Sequence, residues 1–462
     1  MVRIAGKTKL IIAFIVMSLL AINIAIAAPL TNGEIEELGN TIVFGSPGEL
    51  VDATEKLVAR GNKDVVAMLI LASRYRGASQ PIMSAINALT GQSLKGWHDA
   101  MLWQEEHPEI KPHSSFPSIK TRMFNRIDPL FDRFLGGERS KPENMKIRLE
   151  EIAWGGVVVD GIPSLDNPKL ADADAATYLI DSDLVFGVAI NGDIRAYPLR
   201  IMGWHEMFNE TIGGVPVALA YCTLCGAGIL FETMIEGRDK PLVFGSSGFL
   251  YRSNKLMFDR ETNSLWNQFT GEPVSGPLVN SGIQLKLRPV TITTWANWKK
   301  SNPKTKVLSL DTGHRRDYSS GNVYKDYFAS PDLMFPAVVR NENQIKRKDF
   351  VFGIRDVGAA KAWPVTAFKN VSVINDQVGT LKVVLIGDAK SRTVRAYARG
   401  ELKFTQSAKT DKISALGQDW VVLENELIGP DGTKLSRVPG HISYWFAWDG
   451  YLGVKSSLYG AE

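Results

Sequence analysis

One sequence pattern repeats at a fixed offset, and it constrains the fold more than any other feature. Val185-Phe186-Gly187 recurs as Val351-Phe352-Gly353, and Ala196-Tyr197-Pro198-Leu199 recurs as Ala362-Trp363-Pro364-Val365. Asn209-Glu210 followed by Gly213 recurs as Asn375-Asp376 followed by Gly379, again 166 residues on. Further along, Pro289, Trp295 and Trp298 match Pro439, Trp445 and Trp448. Three matches in one register point to two homologous units. The expected architecture is therefore α+β and mainly β. A helical N-terminal region, 31–149, precedes two β-rich units, 150–330 and 335–460, which are expected to pack with pseudo-twofold symmetry.

The local pattern agrees with that division. Glu34 to Leu38, Leu50 to Arg60, Asp64 to Tyr75, Pro81 to Leu89 and Ser93 to Glu106 carry apolar residues at helical spacing. Gly136 to Pro142 reads as a linker out of this region. Beyond Arg148, short runs rich in Val, Ile, Tyr and Phe alternate with turns. Asn191-Gly192 and Gly213-Gly214 mark two hairpins. Short helices are expected around Trp295–Lys300 and Tyr444–Trp448.

The copies also differ, and the differences nominate functional residues. Cys222, Cys225 and Gly226 fall opposite Asp388, Ser391 and Arg392, and His205 falls opposite Val371. Cys222 and Cys225 are the only two cysteines. A bridge between them would close almost no loop, so chemistry is the stronger reason to have them. Haem attachment needs His after the second Cys, and Gly226 stands there. Structural zinc needs two further ligands. A thioredoxin-like dithiol would open a helix, whereas Gly226 to Phe231 reads as a strand. Thiolate, imidazole and thioether ligands suit copper better than zinc, and His205 lies between Met202 and Met207 just before the hairpin that ends at Cys222.

A second cluster, Asp311-Thr-Gly-His314-Arg315-Arg316-Asp317-Tyr318, packs a proton carrier, an anion clamp and a phenol into eight residues. The competing reading is a solvated inter-unit linker. His98, His107 and His113 read as surface residues, and His441 as a loop residue. No phosphate-binding loop, nucleophile elbow or zinc-protease motif occurs, so no nucleotide is expected and a hydrolase ranks last.

The chain begins with Arg3, Lys7 and Lys9, an apolar run Leu10–Ile22, and the small-x-small string Ala25-Ile26-Ala27. That order is the order of an export signal over 1–27, with cleavage near Ala27 and a periplasmic or extracellular destination. The alternative is a retained anchor. No later stretch is long and apolar enough to span a membrane. With 53 basic against 49 acidic residues, charge gives no reason to expect nucleic acid.

The strings DGIPSLDNPK, AYPLRIMGWHEMFNETIGG, AYCTLCGAG, MFDRETNSLWNQFTGE and DTGHRRDY together resemble a bacterial family filed as domain of unknown function 3179. The likeness covers roughly 150–460, and WQEEHPEIKPH resembles the helical region that often precedes the domain. Thr223 stands where family members usually have Pro. The resemblance implies no activity. The residues themselves support two expectations. One is a metal-binding (copper-like) or thiol-redox protein centred on His205, Cys222 and Cys225, with His314, Arg315, Arg316 and Tyr318 as secondary candidates. The other is a non-catalytic ligand- or partner-binding module in which the cysteines form a local disulfide.

Overall fold

The computed structural model describes residues 29–461 except 357 and 410. The segment read as an export signal lies outside them. Among the described residues no helix is long and apolar enough to cross a membrane.

Helices come first. Asn32–Phe44 and Pro47–Arg60 each start at a capping box, Thr31 with Glu34 and Ser46 with Glu49, which satisfies amide groups the helix leaves unpaired. Val66–Tyr75, Gln80–Thr90, Trp97–Glu106 and Phe116–Ile127 follow. They close on Leu57, Met68, Ile86, Ala100 and Ile119, all buried. The segment 136–142, expected as a free linker, instead forms short turns that dock on the first β-rich unit. Ser140 is buried there, and Arg139 donates to the Asn263 carbonyl at 3.0 Å.

In the first β-rich unit the strands used below are β1 (Leu184–Ile190), β2 (Asp193–Pro198), β3 (Met207–Ile212), β4 (Val215–Cys222), β5 (Ala227–Glu232), β6 (Thr291–Thr294) and β7 (Lys306–Leu308). In the second they are β8 (Phe350–Asp356), β9 (Ala359–Pro364), β10 (Val373–Val378), β11 (Leu381–Asp388), β12 (Thr393–Ala398), β13 (His441–Tyr444) and β14 (Ser456–Leu458). One sheet of the first unit contains the order β6-β1-β2-β7, and the second unit has a sheet ordered β13-β8-β9-β14. In both, the last strand joins in parallel and the others pair antiparallel. Each unit also carries an antiparallel meander, β3-β4-β5 and β10-β11-β12.

The repeated residues do matching work. A Cβ on Gly187 would lie 2.2 Å from the Trp298 ring, and one on Gly353 would lie 1.9 Å from the Trp448 ring. Only glycine allows each indole to lie on its strand. Trp298 then donates to Thr305 at 3.0 Å and Trp448 to Ser456 at 2.7 Å. Glu210 accepts from Arg195 and Tyr197, and Asp376 accepts from Lys361 and Trp363. The Asn209 carboxamide pairs with both backbone groups of Phe244, and that of Asn375 with both of Phe404.

The two units meet through backbone and hydroxyl contacts. Tyr444 N–H donates to the Cys225 carbonyl at 2.7 Å, and the Thr393 hydroxyl donates to Thr293 at 2.8 Å. The cysteine turn therefore sits at the boundary between units. The connecting segment, 319–348, crosses it: Tyr327 donates to the Leu224 carbonyl at 2.8 Å, and Ser253 donates to the Phe335 carbonyl at 2.7 Å.

Candidate functional site

The site grows from the turn that joins β4 to β5. Cys225 N–H donates to the Cys222 carbonyl and Gly226 N–H to the Thr223 carbonyl, both at 3.2 Å. Gly226 has φ +60°, and a Cβ there would press on Phe350. The turn sets the two cysteine Cα atoms 5.2 Å apart, within the span a disulfide bridges, and the sulfurs are bonded to each other. Cys222 is 2% exposed and Cys225 0%.

The second unit closes the corresponding turn without sulfur. Ser391 N–H and Oγ both bond to the Asp388 carboxylate, the hydroxyl at 2.5 Å. Arg392 takes Gly226's place with φ +56°, and its guanidinium carbon lies 3.7 Å above the Phe350 ring.

A buried ion pair is tied to the cysteine turn. The helix Leu199–His205 ends at Glu206, which caps it in the left-handed region at φ +54°. The Glu206 carbonyl accepts from Tyr221 N–H at 2.7 Å. Its carboxylate accepts from the Thr223 hydroxyl at 2.7 Å and from Lys255 at 3.0 Å. Glu206 is 7% exposed and Lys255 3%, so both charges have left water and depend on each other. Tyr324 comes up against Thr223; burial, with the Glu206 charge, pushes its hydroxyl up to about 12.

His205, fully buried, turns to another set of partners. Its Nδ1 lies 2.9 Å from the Pro163 carbonyl and its Nε2 2.6 Å from the Tyr318 hydroxyl. A carbonyl only accepts, so Nδ1 carries the hydrogen and Nε2 accepts from Tyr318. Tyr318 in turn accepts from Thr312 at 2.7 Å. Burial pulls His205 down to about 4, helped by the charges of His314 and Arg316 and opposed by the Pro163 carbonyl. The imidazole is therefore neutral at pH 7.

The structure brings part of the expected set together. His314 and Tyr318 reach His205, with ring centroids 5.1 and 5.8 Å away. Arg315 and Arg316 stay exposed on the same loop. The sulfurs bond each other, and both His205 nitrogens have other partners. Among the described residues no group of three or more His, Cys, Asp or Glu is arranged to hold a metal. Sequence reasoning missed Glu206, Lys255, Tyr324 and Tyr327. Glu206 had a signal, because Ser372 stands opposite it in the repeat register; Lys255 had none. His113 is buried rather than superficial, between Ser115 at 2.8 Å and Asn32 at 3.2 Å. His441, expected in a loop, lies buried in β13.

A family model described as "Protein of unknown function (DUF3179)" matches residues 159–454. No curated protein and no solved structure matches the chain.

Proposed function

Because the chain belongs to the DUF3179 family, whose description names no activity, its function has to come from its own residues, and we propose that it is a thiol–disulfide redox protein centred on Cys222 and Cys225. The observation that carries this reading is the Glu206–Lys255 pair bonded into the turn through Thr223. Burying two charges costs several kcal/mol per ion before their attraction offsets it, a poor bargain for a turn that Asp388 and Ser391 close unaided. Cys222, Thr223, Cys225 and Glu206 correspond in the repeat to Asp388, Ala389, Ser391 and Ser372, so the second unit lacks the set.

The exchange runs with a dithiol, small or carried by a protein. One partner thiolate attacks a sulfur of the Cys222–Cys225 bond. The electron pair passes to the other cysteine sulfur, which leaves and takes up a proton. The partner's second thiolate then displaces the first cysteine. The protein gains two electrons and two protons, and the dithiol becomes a disulfide. Glu206 and Lys255 are the buried charged pair tied to this turn. Equilibration with glutathione buffers, followed by thiol labelling, tests the reading. A pair that interconverts within the buffer range supports it, and a pair that stays oxidised throughout refutes it.

A second reading, a binding module with the bridge as a clamp, draws on the Asp388–Ser391 turn, which does the same local work without redox chemistry. Copper on the reduced thiols with His205 ranks lower, since Pro163 and Tyr318 hold the imidazole nitrogens. We further propose that the two β-rich units descend from one duplicated ancestor, on the strength of the matched Gly–Trp, Asn and acid partners. Residues 1–27 acting as an export signal would place the pair where disulfides persist.

A further inference from the structure

The second unit buries polar atoms that the redox reading does not use. In β8 and β13, Gly353 stands opposite His441 and Val351 opposite Ser443. Directly opposed residues share a sheet face, as do residues two apart on one strand. Arg355, His441 and Ser443 therefore lie on one face, the face covered at Gly353 by Trp448. His441 is 3% exposed and Ser443 is buried. Phe269 closes over them, its ring centroid 5.0 Å from that of His441 and stacked 5.0 Å from that of Tyr451.

Arg355 Nε and Nη2, His441 Nε2, Ser443 Oγ and Tyr451 Oη are all buried without a hydrogen-bond partner among the described residues. Nε and Nη2 form the side-on edge of a guanidinium, the edge that grips an oxyanion with two parallel hydrogen bonds. Each buried, unmade hydrogen bond costs stability, more so for a charged group. Burial pulls Arg355 down to about 10, with Glu272 as the acid that opposes it. Arg355 and His441 correspond in the repeat to Ala189 and Thr291 of the first unit, so the arrangement belongs to one unit only.

We propose that Arg355, His441 and Ser443 form a buried binding site for a small oxyanion, a carboxylate or a phosphate group. The Arg355 edge takes two anion oxygens. His441, as a neutral imidazole with hydrogen on Nε2, and the Ser443 hydroxyl donate to the rest. Phe269 and Trp448 keep water from competing.

The full chain, dialysed into anion-poor buffer, is titrated separately with acetate and with inorganic phosphate. Its thermal midpoint and the His441 ring ¹⁵N signals are followed. A saturable response to either anion, weakened about tenfold to a hundredfold in Arg355→Lys, supports the site. That variant keeps the charge and loses the two-point edge, so it tests recognition without removing a buried cation. A response to acetate alone assigns a carboxylate, and to phosphate alone a phosphate group. No saturable response to either anion, or equal responses in wild type and Arg355→Lys, overturns the proposal. Neither result depends on the state of Cys222 and Cys225.

Discussion

Ser391 donates its hydroxyl to the Asp388 carboxylate at 2.5 Å, across a turn whose counterpart in the first unit is bridged by Cys222 and Cys225. Two chemistries thus close one backbone shape. Among the described residues, only the cysteine turn is linked to a buried ion pair, through Thr223 and Glu206. On the redox reading proposed above, that asymmetry separates what the turn needs in order to fold from what it carries for function.

Removing the bridge should leave the fold standing. A four-residue loop is worth about 2 kcal/mol on loop-closure grounds. Cys222→Ala/Cys225→Ala is expected to lose about that much in urea unfolding and to keep a cooperative transition with unchanged slope. A molten or unfolded double variant would show the bridge to be essential to the turn.

Glu206→Gln should be the more damaging change. It leaves Lys255 charged, buried and poorly paired, at an expected cost of about 3–5 kcal/mol. Adding Lys255→Met is expected to recover most of that loss. Denaturant unfolding of the wild type, both single variants and the double variant gives the coupling directly.

Stability should fall in mild acid. His205 is held neutral, with a folded value near 4 against an ordinary value near 6.5. The unfolded chain therefore binds the proton first, and stability rises with pH across that window. The contribution, about 3 kcal/mol, is complete above pH 6.5 and is lost as pH falls toward 4. His441 is shifted the same way by burial and by Arg355, so His205→Gln is expected to flatten the slope without abolishing it. An unchanged slope in His205→Gln would mean that His205 titrates normally.

Gly187→Ala and Gly353→Ala should behave alike. Each puts a methyl into an indole that cannot retreat, at an expected cost of about 1–3 kcal/mol. Thermal unfolding of the two variants checks whether the paired Gly–Trp contacts carry comparable weight.

Local and periodic features were legible in the sequence. Helical spacing marks the N-terminal helices. Asn191-Gly192 and Gly213-Gly214 place the hairpins, and the repeat register pairs Gly187 with Gly353 and Trp298 with Trp448. The association of His314 and Tyr318 with His205 was half legible, as a cluster at the unit boundary. Lys255, Tyr327 and Arg355 were not, because their environments are made by chain 21 to 103 residues away in contacts such as Lys348 to Tyr327 and Tyr327 to Leu224. No periodicity records such pairings. His441 misleads for the same reason: it follows Pro439-Gly440, which reads as a turn, yet the next four residues complete a sheet begun at Phe350.

The connecting segment is bonded to the cysteine turn at Tyr327. Tyr327→Phe removes the bond to the Leu224 carbonyl, worth about 1 kcal/mol. The rate at which dithiothreitol reduces the Cys222–Cys225 bond should rise about fivefold in this variant, read by thiol labelling over time. No change in rate would mean that Tyr327 does not guard the turn.

The most direct measurement is the reduction potential of the Cys222–Cys225 pair in the full chain, titrated against defined glutathione and dithiothreitol buffers. Exchange-active protein dithiols lie between about −270 and −120 mV, and structural bridges below about −300 mV. A potential inside the first range, shifted in Glu206→Gln, is the result expected of a redox centre. A potential below about −300 mV, unmoved by Glu206→Gln, would contradict the redox assignment and leave the bridge as a clamp.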